Sequence, residues 1–483
     1  MTSQDFSAIL PLLLLTGWAC ALMLLDAFIP AGRKGLTAGL AALGMVAAFI
    51  ALVPRFGIAT EAFGGMLLVD GFASFLDVVF LASGLFGIAL AYDYLKRMGI
   101  ERGEYYSLLL FSVCGMMLMG RAGDLIVVFL ALELLSIPLY VLAGFAVPRL
   151  ESEESALKYF LLGAFATGFV VYGIALTYGA VGSTRLDAIL EAVRAGAALP
   201  GLLLAGVGLI LIGLGFKVAA VPFHMWTPDV YQGAPSAVTA FMSVGAKAGG
   251  FAALLRVLIT ALPDVAAAWA PAVAWISALT MVWANLAAIG QVNIKRMLAY
   301  SSIAHGGYIL MALAASSSTA AAPQAASAAL FYLAAYAITN LGAWAVVLTM
   351  ERQEGAGLSI EEYAGLGQRR PVLALAMAAF MLSLTGVPPT IGFVGKFYLF
   401  RSAIDAGLIW LALVGVITSL VSAYYYLRVV VVMFMRPGEP QVRSEAWLNA
   451  GLGVAAVATV FLGILPGPLL ALAERAGLIA LFP

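Results

Sequence analysis

Four ionisable side chains stand inside runs apolar enough to lie in lipid. They are Glu133 in LALELLSIPLYVL, Lys217 in LIGLGFKVAAVPFHMWTPD, Lys247 in PSAVTAFMSVGAKAGGF and Lys396 in SLTGVPPTIGFVGKF. Placing a charged side chain at a bilayer centre costs roughly 2.5–3.5 kcal/mol on insertion scales, so such groups are functional candidates by default. Three more residues join them. His224 follows Lys217 by seven residues, His305 lies in AYSSIAHGGY, and Lys158 lies in EESALKYFLLGA, where it serves equally as a surface anchor or a path member.

Helical spacing gives several of these groups polar company. Ser136 and Tyr140 follow Glu133 on one face; Ser236, Thr239 and Ser243 share a face with Lys247; Ser301 and Tyr308 flank His305. No nucleophile is spaced to meet a base, and no His/Cys cluster suits a metal, so hydrolytic and metal chemistry are not indicated. What a glutamate and three lysines can do is pass protons. An isolated lysine titrates near pH ~10.4, and trading protons near neutrality requires a penalty on its charge of about 4 kcal/mol, which burial can supply. An acid–lysine pair that closes and opens is then a switch. His305 suits either a relay or helix packing.

The elements that must position these groups are membrane spans. Of 483 residues, 63% are hydrophobic and 10% charged, against about 25% charged in soluble domains. A span needs about 20 mainly apolar residues, and the chain offers roughly fourteen such stretches. They fall near 7–29, 37–54, 70–92, 105–121, 125–147, 159–180, 201–222, 235–258, 270–291, 298–315, 326–349, 371–400, 407–435 and 446–473. The reading is an all-α polytopic membrane protein. The N-terminus, without a basic leader, reads as a first span and not as a cleaved signal. Connections at 181–200 and 351–370 carry LDAILEAV and SIEEYAGLGQRRP, both suited to short interfacial helices.

Two spans read as broken. Pro222 ends or kinks the seventh, just after Lys217, and Gly386, Pro388, Pro389, Gly392 and Gly395 interrupt the twelfth, just before Lys396. Interrupted segments at matching places in two halves point to inverted repeats with an ion path near the midplane. Spans 4–8 (105–258) and 9–13 (270–435) form the two five-helix repeats, preceded by 1–104 and followed by 446–483. About thirteen Lys/Arg fall in odd-numbered loops and about six in even-numbered loops and the tail. The odd loops should therefore be cytoplasmic, and both termini periplasmic.

Cys20 and Cys114 cannot form an iron–sulfur ligand set, and neither a P-loop nor a dinucleotide fingerprint is present. The chain has no means of its own to capture redox or nucleotide energy, so a gradient or an attached machine must drive it.

The stretches LALELLSIPLYVLAGF, ESALKYFLLGA, GFKVAAVPFHMWTPDVYQGAPSAVTAFMSVGAKAGGF, NIKRMLAYSSIAHGGY and LTGVPPTIGFVGKFYLF resemble subunit N of the proton-translocating NADH:quinone oxidoreductases, respiratory complex I. The resemblance runs through spans five to twelve; elsewhere it lies mainly in hydropathy. It implies the fourteen-helix antiporter-like fold and a pairing of Glu133 with Lys217. It places the central lysine at Lys247 and the lysine of the broken twelfth span at Lys396. It also implies that this chain binds no cofactor, with NADH, FMN, iron–sulfur clusters and quinone held by partner subunits in the bacterial inner membrane. The related L and M subunits often differ at the last two positions, and L adds a lateral helix; this chain stops about ten residues after its last span, which favours N. A subunit of a multisubunit Na⁺/H⁺ antiporter or of a membrane-bound hydrogenase shares Glu133, Lys217 and the proline-flanked break. A structural spacer without transport is the third reading, and the buried charges oppose it.

Overall fold

The computed structural model describes residues 3–352 and 355–476 and is helical almost throughout. A short α1 (Ser3–Ala8) leads into α2 (Leu10–Asp26), α3 (Gly35–Leu52), α4 (Gly71–Arg97), α5 (Glu104–Gly120), α6 (Leu125–Ala143) and α7 (Leu150–Val181). The amphipathic α8 (Leu186–Arg194) precedes α9 (Pro200–Lys217), α10 (Trp226–Gly233) and α11 (Ser236–Arg256). The second half begins with α12 (Ala266–Ile289), α13 (Ile294–Ala315), α14 (Ala322–Met350) and the short α15 (Leu366–Arg369). It continues with α16 (Pro371–Thr385), α17 (Ile391–Asp405), α18 (Ile409–Met435), α19 (Ala446–Ile464) and α20 (Gly467–Arg475).

Among the described residues, eleven helices are long and apolar enough to cross a bilayer, and α2, α5 and α16 are shorter apolar helices. Each stretch expected to be a span is occupied by one helix or, at 7–29, 371–400 and 446–473, by two. The tail of the last segment beyond 476 lies outside the described residues. Burial grades the bundle from inside out. The apolar window of α11 is 100% buried and those of α13 and α14 are 94% buried, against 22% for α19. Lys247 on α11 and His305 on α13 are therefore walled off by the surrounding helices. Outward, α7, α18 and α19 expose Leu157, Phe165, Leu420, Val454 and Val457, the apolar surface a lipid-facing helix requires.

Polar residues fix where several helices start. Asp70 accepts from Ala73 N–H to cap α4, Asp124 from Ile126 N–H to cap α6, and Asn293 from Lys295 and Arg296 N–H to cap α13. These side-chain oxygens satisfy donors that have no partner in the first turn.

Four boundaries differ from the sequence expectation. Helix α7 starts at Leu150, so Lys158 lies two turns inside it rather than opening the span. Helix α9 stops at Lys217, before Pro222, so the break owes its position to the backbone at Ala219 and His224 does not continue the face of Lys217. Helix α13 begins at Ile294, which draws Lys295 out of its expected loop and buries it. A two-stranded hairpin, β1 (Thr60–Ala62) and β2 (Leu67–Val69), fills the connection after α3, with Thr60 opposite Val69. Its tight turn uses Gly64 and Gly65 at positive φ.

Candidate functional site

The end of α9 is built by its own backbone. Ala219 adopts a left-handed conformation (φ +60°), Ala220 N–H donates to Gly215 C=O at 2.8 Å, and Ala219 N–H donates to Phe216 C=O at 3.0 Å. This 6→1 closure ends a helix sharply, commonly with glycine at the left-handed position. The Trp226 indole N–H also donates to Phe216 C=O at 3.0 Å, and Thr280 Oγ1 accepts from Val221 N–H at 2.9 Å. The unwound segment is therefore hydrogen-bonded to its neighbours inside the bundle.

Lys217, on the last turn before this break, is buried and donates to Ser136 Oγ at 2.8 Å and to the Tyr159 hydroxyl at 3.1 Å. Tyr159 is held by stacking on Trp226 with ring centroids 4.5 Å apart. Glu133 lies one turn before Ser136 on α6 and accepts from Thr167 Oγ1 at 2.7 Å. No ion pair joins Glu133 to Lys217 among the described residues; Ser136 and Thr167 hold the two apart. The polar stripe read from Glu133, Ser136 and Tyr140 thus meets Lys217 through its middle member.

Glycine lets the next lysine approach. A side chain at Gly250 on α11 would lie 3.2 Å from Lys217 Cγ, and one at Gly306 on α13 would lie 3.2 Å from Val218 C=O. Lys247, one turn before Gly250, is buried and donates to Ser302 C=O of α13 at 2.5 Å. Ser243, on the same face, accepts from Asn340 Nδ2 at 2.7 Å.

From α13 the polar groups continue toward Lys396. His305 Nδ1 lies 2.5 Å from the Tyr332 hydroxyl and Nε2 lies 3.2 Å from that of Tyr426, which contacts Ser301 Oγ at 2.5 Å. Ser419 Oγ donates to the Tyr308 hydroxyl at 3.1 Å, and Lys396 Nζ donates to Ser419 Oγ at 3.0 Å. Lys396 also sits over the Tyr308 ring, 4.6 Å from its centroid. Three buried hydrogen-bonded clusters, at Lys247, His305 and Lys396, thus follow one another along α13, with the His305 and Tyr308 rings edge to face at 5.8 Å.

The second break repeats the design of the first. Gly386 is left-handed (φ +92°), and Val387 N–H donates to Leu382 C=O at 3.0 Å. Lys396 Nζ donates to Thr385 C=O at 2.9 Å. Its charge thus lies at the negative end of the α16 dipole.

Two candidates stand apart. Lys158, with 40% of its side chain exposed, pairs with Glu154 at 2.7 Å and Asp229 at 2.8 Å, and Asp229 also holds Arg296 at 2.7 Å. Burial alone would raise the Asp229 carboxyl, but the hydrogen bonds and charges of Lys158 and Arg296 outweigh it and hold it below the usual carboxylate value. His224 is buried behind the break, with its Nδ1 unpartnered. Sequence reasoning missed two buried ion pairs, Arg121 with Asp77 and Arg256 with Asp70, the latter at 2.5 Å. Arg121 read as a loop charge; an Arg near a span end gives no sign of its distant partner. No three His, Cys, Asp or Glu among the described residues could hold a metal ion.

Residues 122–422, which contain all seven candidates, match the family described as NADH:quinone oxidoreductase/Mrp antiporter, TM. NADH-quinone oxidoreductase subunit N of Chloroflexus aggregans is 50% identical over 98% of this chain and 97% of its own length. The chain belongs to the NADH-quinone oxidoreductase subunit N family. The subunit N of Trichlorobacter lovleyi is 45% identical over 98% of this chain and 97% of its own. A chain of respiratory complex I from Thermus thermophilus with bound aureothin is 39% identical, with a TM-score of 0.83, covering 97% of this chain and 100% of that one. A chain of the Mrp complex from Dietzia has a TM-score of 0.84 over 99% of this chain and 97% of its own, but only 22% identity, so it shares the fold alone. Within the subunit N fold, both helix breaks lie beside a buried lysine.

Proposed function

We propose that this chain is a proton-translocating membrane subunit of an NADH:quinone oxidoreductase, in which electron transfer in partner subunits drives protons along Lys217, Lys247 and Lys396. The single observation that carries this reading is the row of buried, hydrogen-bonded polar groups along α13, from Ser302 at Lys247 through His305 to Tyr308, which meets Lys396 through Ser419. Glu133 acts as the switch partner of Lys217. When Glu133 leaves Thr167 and approaches, the ammonium is favoured; when it withdraws, Lys217 gives its proton onward to Lys247 across the close approach that Gly250 permits. His305 relays between its two tyrosines, and Lys158 and His224 have supporting places at the basic rim and behind the first break.

NADH, FMN, iron–sulfur clusters and quinone belong to partner subunits in this reading, because moving one charge against 100 mV takes about 2.3 kcal/mol and the chain has no energy source of its own. The basic loops face the cytoplasm and both termini the periplasm. The matching closures at Ala219 and Gly386 support two inverted repeats, 105–258 and 270–435. Subunit N relatives at 45–50% identity favour this over the antiporter alternative, whose Mrp representative is 22% identical.

The test is NADH-driven proton uptake into inside-out vesicles carrying Lys217→Ala, with assembly checked by NADH–ferricyanide activity and native gels. An assembled complex that no longer pumps supports the reading. Normal pumping and turnover in that complex rejects it.

A further inference from the structure

Asn285 stands in the apolar run MVWANLAAI of α12 and is 1% exposed. A buried side-chain amide must find hydrogen-bond partners inside the protein. Its Nδ2 donates to Met281 C=O, one turn earlier, at 2.7 Å. A carbonyl can only accept, so this bond fixes which end of the amide is nitrogen and turns Oδ1 toward the neighbouring helices. There Oδ1 accepts from the Tyr425 hydroxyl of α18 at 2.9 Å. The Tyr308 hydroxyl of α13 meets the same side chain.

These two tyrosines belong to different clusters. Tyr425 packs on Tyr426 with ring centroids 4.4 Å apart, and the two hydroxyls interact. Tyr426 in turn lies 3.2 Å from His305 Nε2. On the other side, Tyr308 accepts from Ser419 Oγ at 3.1 Å, and Ser419 accepts from Lys396 Nζ at 3.0 Å. His305 and Tyr308 meet ring edge to face, and no hydrogen bond joins them among the described residues. The two clusters are adjacent along α13, but their polar connection runs round through α18 and α12.

Counting donors gives that connection a direction. The Tyr425 hydrogen is committed to Asn285, which leaves the Tyr425 oxygen to accept from Tyr426. The Tyr308 oxygen already accepts from Ser419, so its own hydrogen is available to the second lone pair of Asn285 Oδ1. Two runs of polar groups thus converge on one oxygen, one from His305 and one from Lys396.

We infer that Asn285 is a positioning residue of the transport path, holding Tyr425 and Tyr308 on one oxygen and so joining the His305 cluster to Lys396. An amide is not among the side chains that titrate, so Asn285 stays neutral while the hydroxyls hand protons on. Ser419 gives a proton to the neutral Lys396 amine, and Tyr308 replaces it. Tyr425 restores the Tyr308 hydroxyl across the shared oxygen, a gap that one water bridges. His305 then resupplies Tyr425 through Tyr426. One proton leaves His305, one arrives at Lys396, and every hydroxyl is restored. The junction rests on the proposed transport function of Lys396.

The test measures NADH-driven proton uptake into inside-out vesicles for Asn285→Leu, Tyr425→Phe and Asn285→Asp, with Lys396→Ala as reference. Assembly is checked by native gels and NADH–ferricyanide activity. Uptake should fall about fivefold or more in Asn285→Leu, which keeps the bulk and loses the oxygen, and in Tyr425→Phe, which keeps the ring packing. Asn285→Asp retains Oδ1 and should recover most of the uptake with a displaced pH profile. The new carboxyl faces Tyr308, Tyr425 and, through Ser419, Lys396, and it titrates where the amide does not. A residue that only packs α12 against α18 would leave the profile unmoved, and that result overturns the proposal. Normal uptake in either Asn285→Leu or Tyr425→Phe, with Lys396→Ala impaired, overturns the junction alone; normal uptake in Lys396→Ala as well overturns the transport reading beneath it. Should Asn285→Leu not assemble, Tyr425→Phe decides: lost uptake supports the junction and wild-type uptake overturns it.

Discussion

Lys217 Nζ donates to Ser136 Oγ at 2.8 Å, while Glu133, one turn away on the same helix as Ser136, turns to Thr167 at 2.7 Å. Two hydroxyls thus keep an acid and a base apart that sit on facing helices. The arrangement is poised, because the carboxylate exchanges one hydrogen bond for one ion pair when it moves.

Removing the competitor should collapse the poise. In Thr167→Ala the Glu133 carboxylate loses its neutral partner and closes on Lys217. A hydrogen bond to a charged group is worth about 1.5–3 kcal/mol, so coupled NADH–quinone turnover should fall about tenfold or more, with NADH–ferricyanide activity unchanged. Wild-type turnover in Thr167→Ala would show that this hydrogen bond does not hold the switch.

Gly386 answers for the second lysine. Its φ of +92° excludes ordinary side chains, and a Cβ there would lie 2.9 Å from Lys396 Cδ. Gly386→Ala should lower the stability of the assembled complex by about 1–3 kcal/mol and displace Lys396 from Thr385 C=O. Thermal unfolding followed by native gels reads the first effect, and proton uptake reads the second. An unchanged midpoint together with unchanged uptake would mean that the break can relax around the new methyl.

The extent to which this site was legible in the sequence follows from what a single chain can reveal. Glu133, Lys217, Lys247 and Lys396 stood out because charge inside an apolar run is costly, and their burial needed no tertiary information. The His305 face was legible because Ser301 and Tyr308 share its helical period, although Tyr332 and Tyr426 lie on other helices and had no signal of their own. Pro222 pointed to a break but not to its place, which the left-handed Ala219 sets. Arg121 of the Arg121–Asp77 pair was missed because a charge at a span end looks solvated until the helices that cover it are in place, whereas Asp77 lies inside the third span and carried the same signal as Glu133.

Asp229 gives a prediction with a defined pH sign. Its folded carboxyl is held low by Lys158 and Arg296 despite partial burial, so the network contributes stability above the ordinary carboxylate range, near pH ~4, and loses it as pH falls below. Asp229 is more than a third exposed, and solvent screening keeps the contribution under about 1 kcal/mol. Thermal midpoints of the wild type and Asp229→Asn should differ slightly at pH 7 and converge in acid. A gap that widened on acidification would contradict the assignment.

Ala219 separates stability from transport. An L-residue in the left-handed region costs roughly 1–2 kcal/mol, and the structure accepts that cost where glycine would avoid it. Strain of this kind persists where surrounding contacts over-determine it, often beside a moving part. Here those contacts are Trp226 on Phe216 C=O and Thr280 on Val221 N–H. Ala219→Gly removes the strain and frees the segment, so the complex should be as stable as wild type or slightly more so, while proton uptake per NADH drops because Lys217 is less firmly presented. Ala219→Val should lower stability instead, since a β-branched residue tolerates that backbone least. Measuring both variants for thermal midpoint and for pumping distinguishes the cases. If Ala219→Gly gains stability and pumps at the wild-type rate, the left-handed residue is only a helix stop, and the strain beside Lys217 plays no part in moving protons.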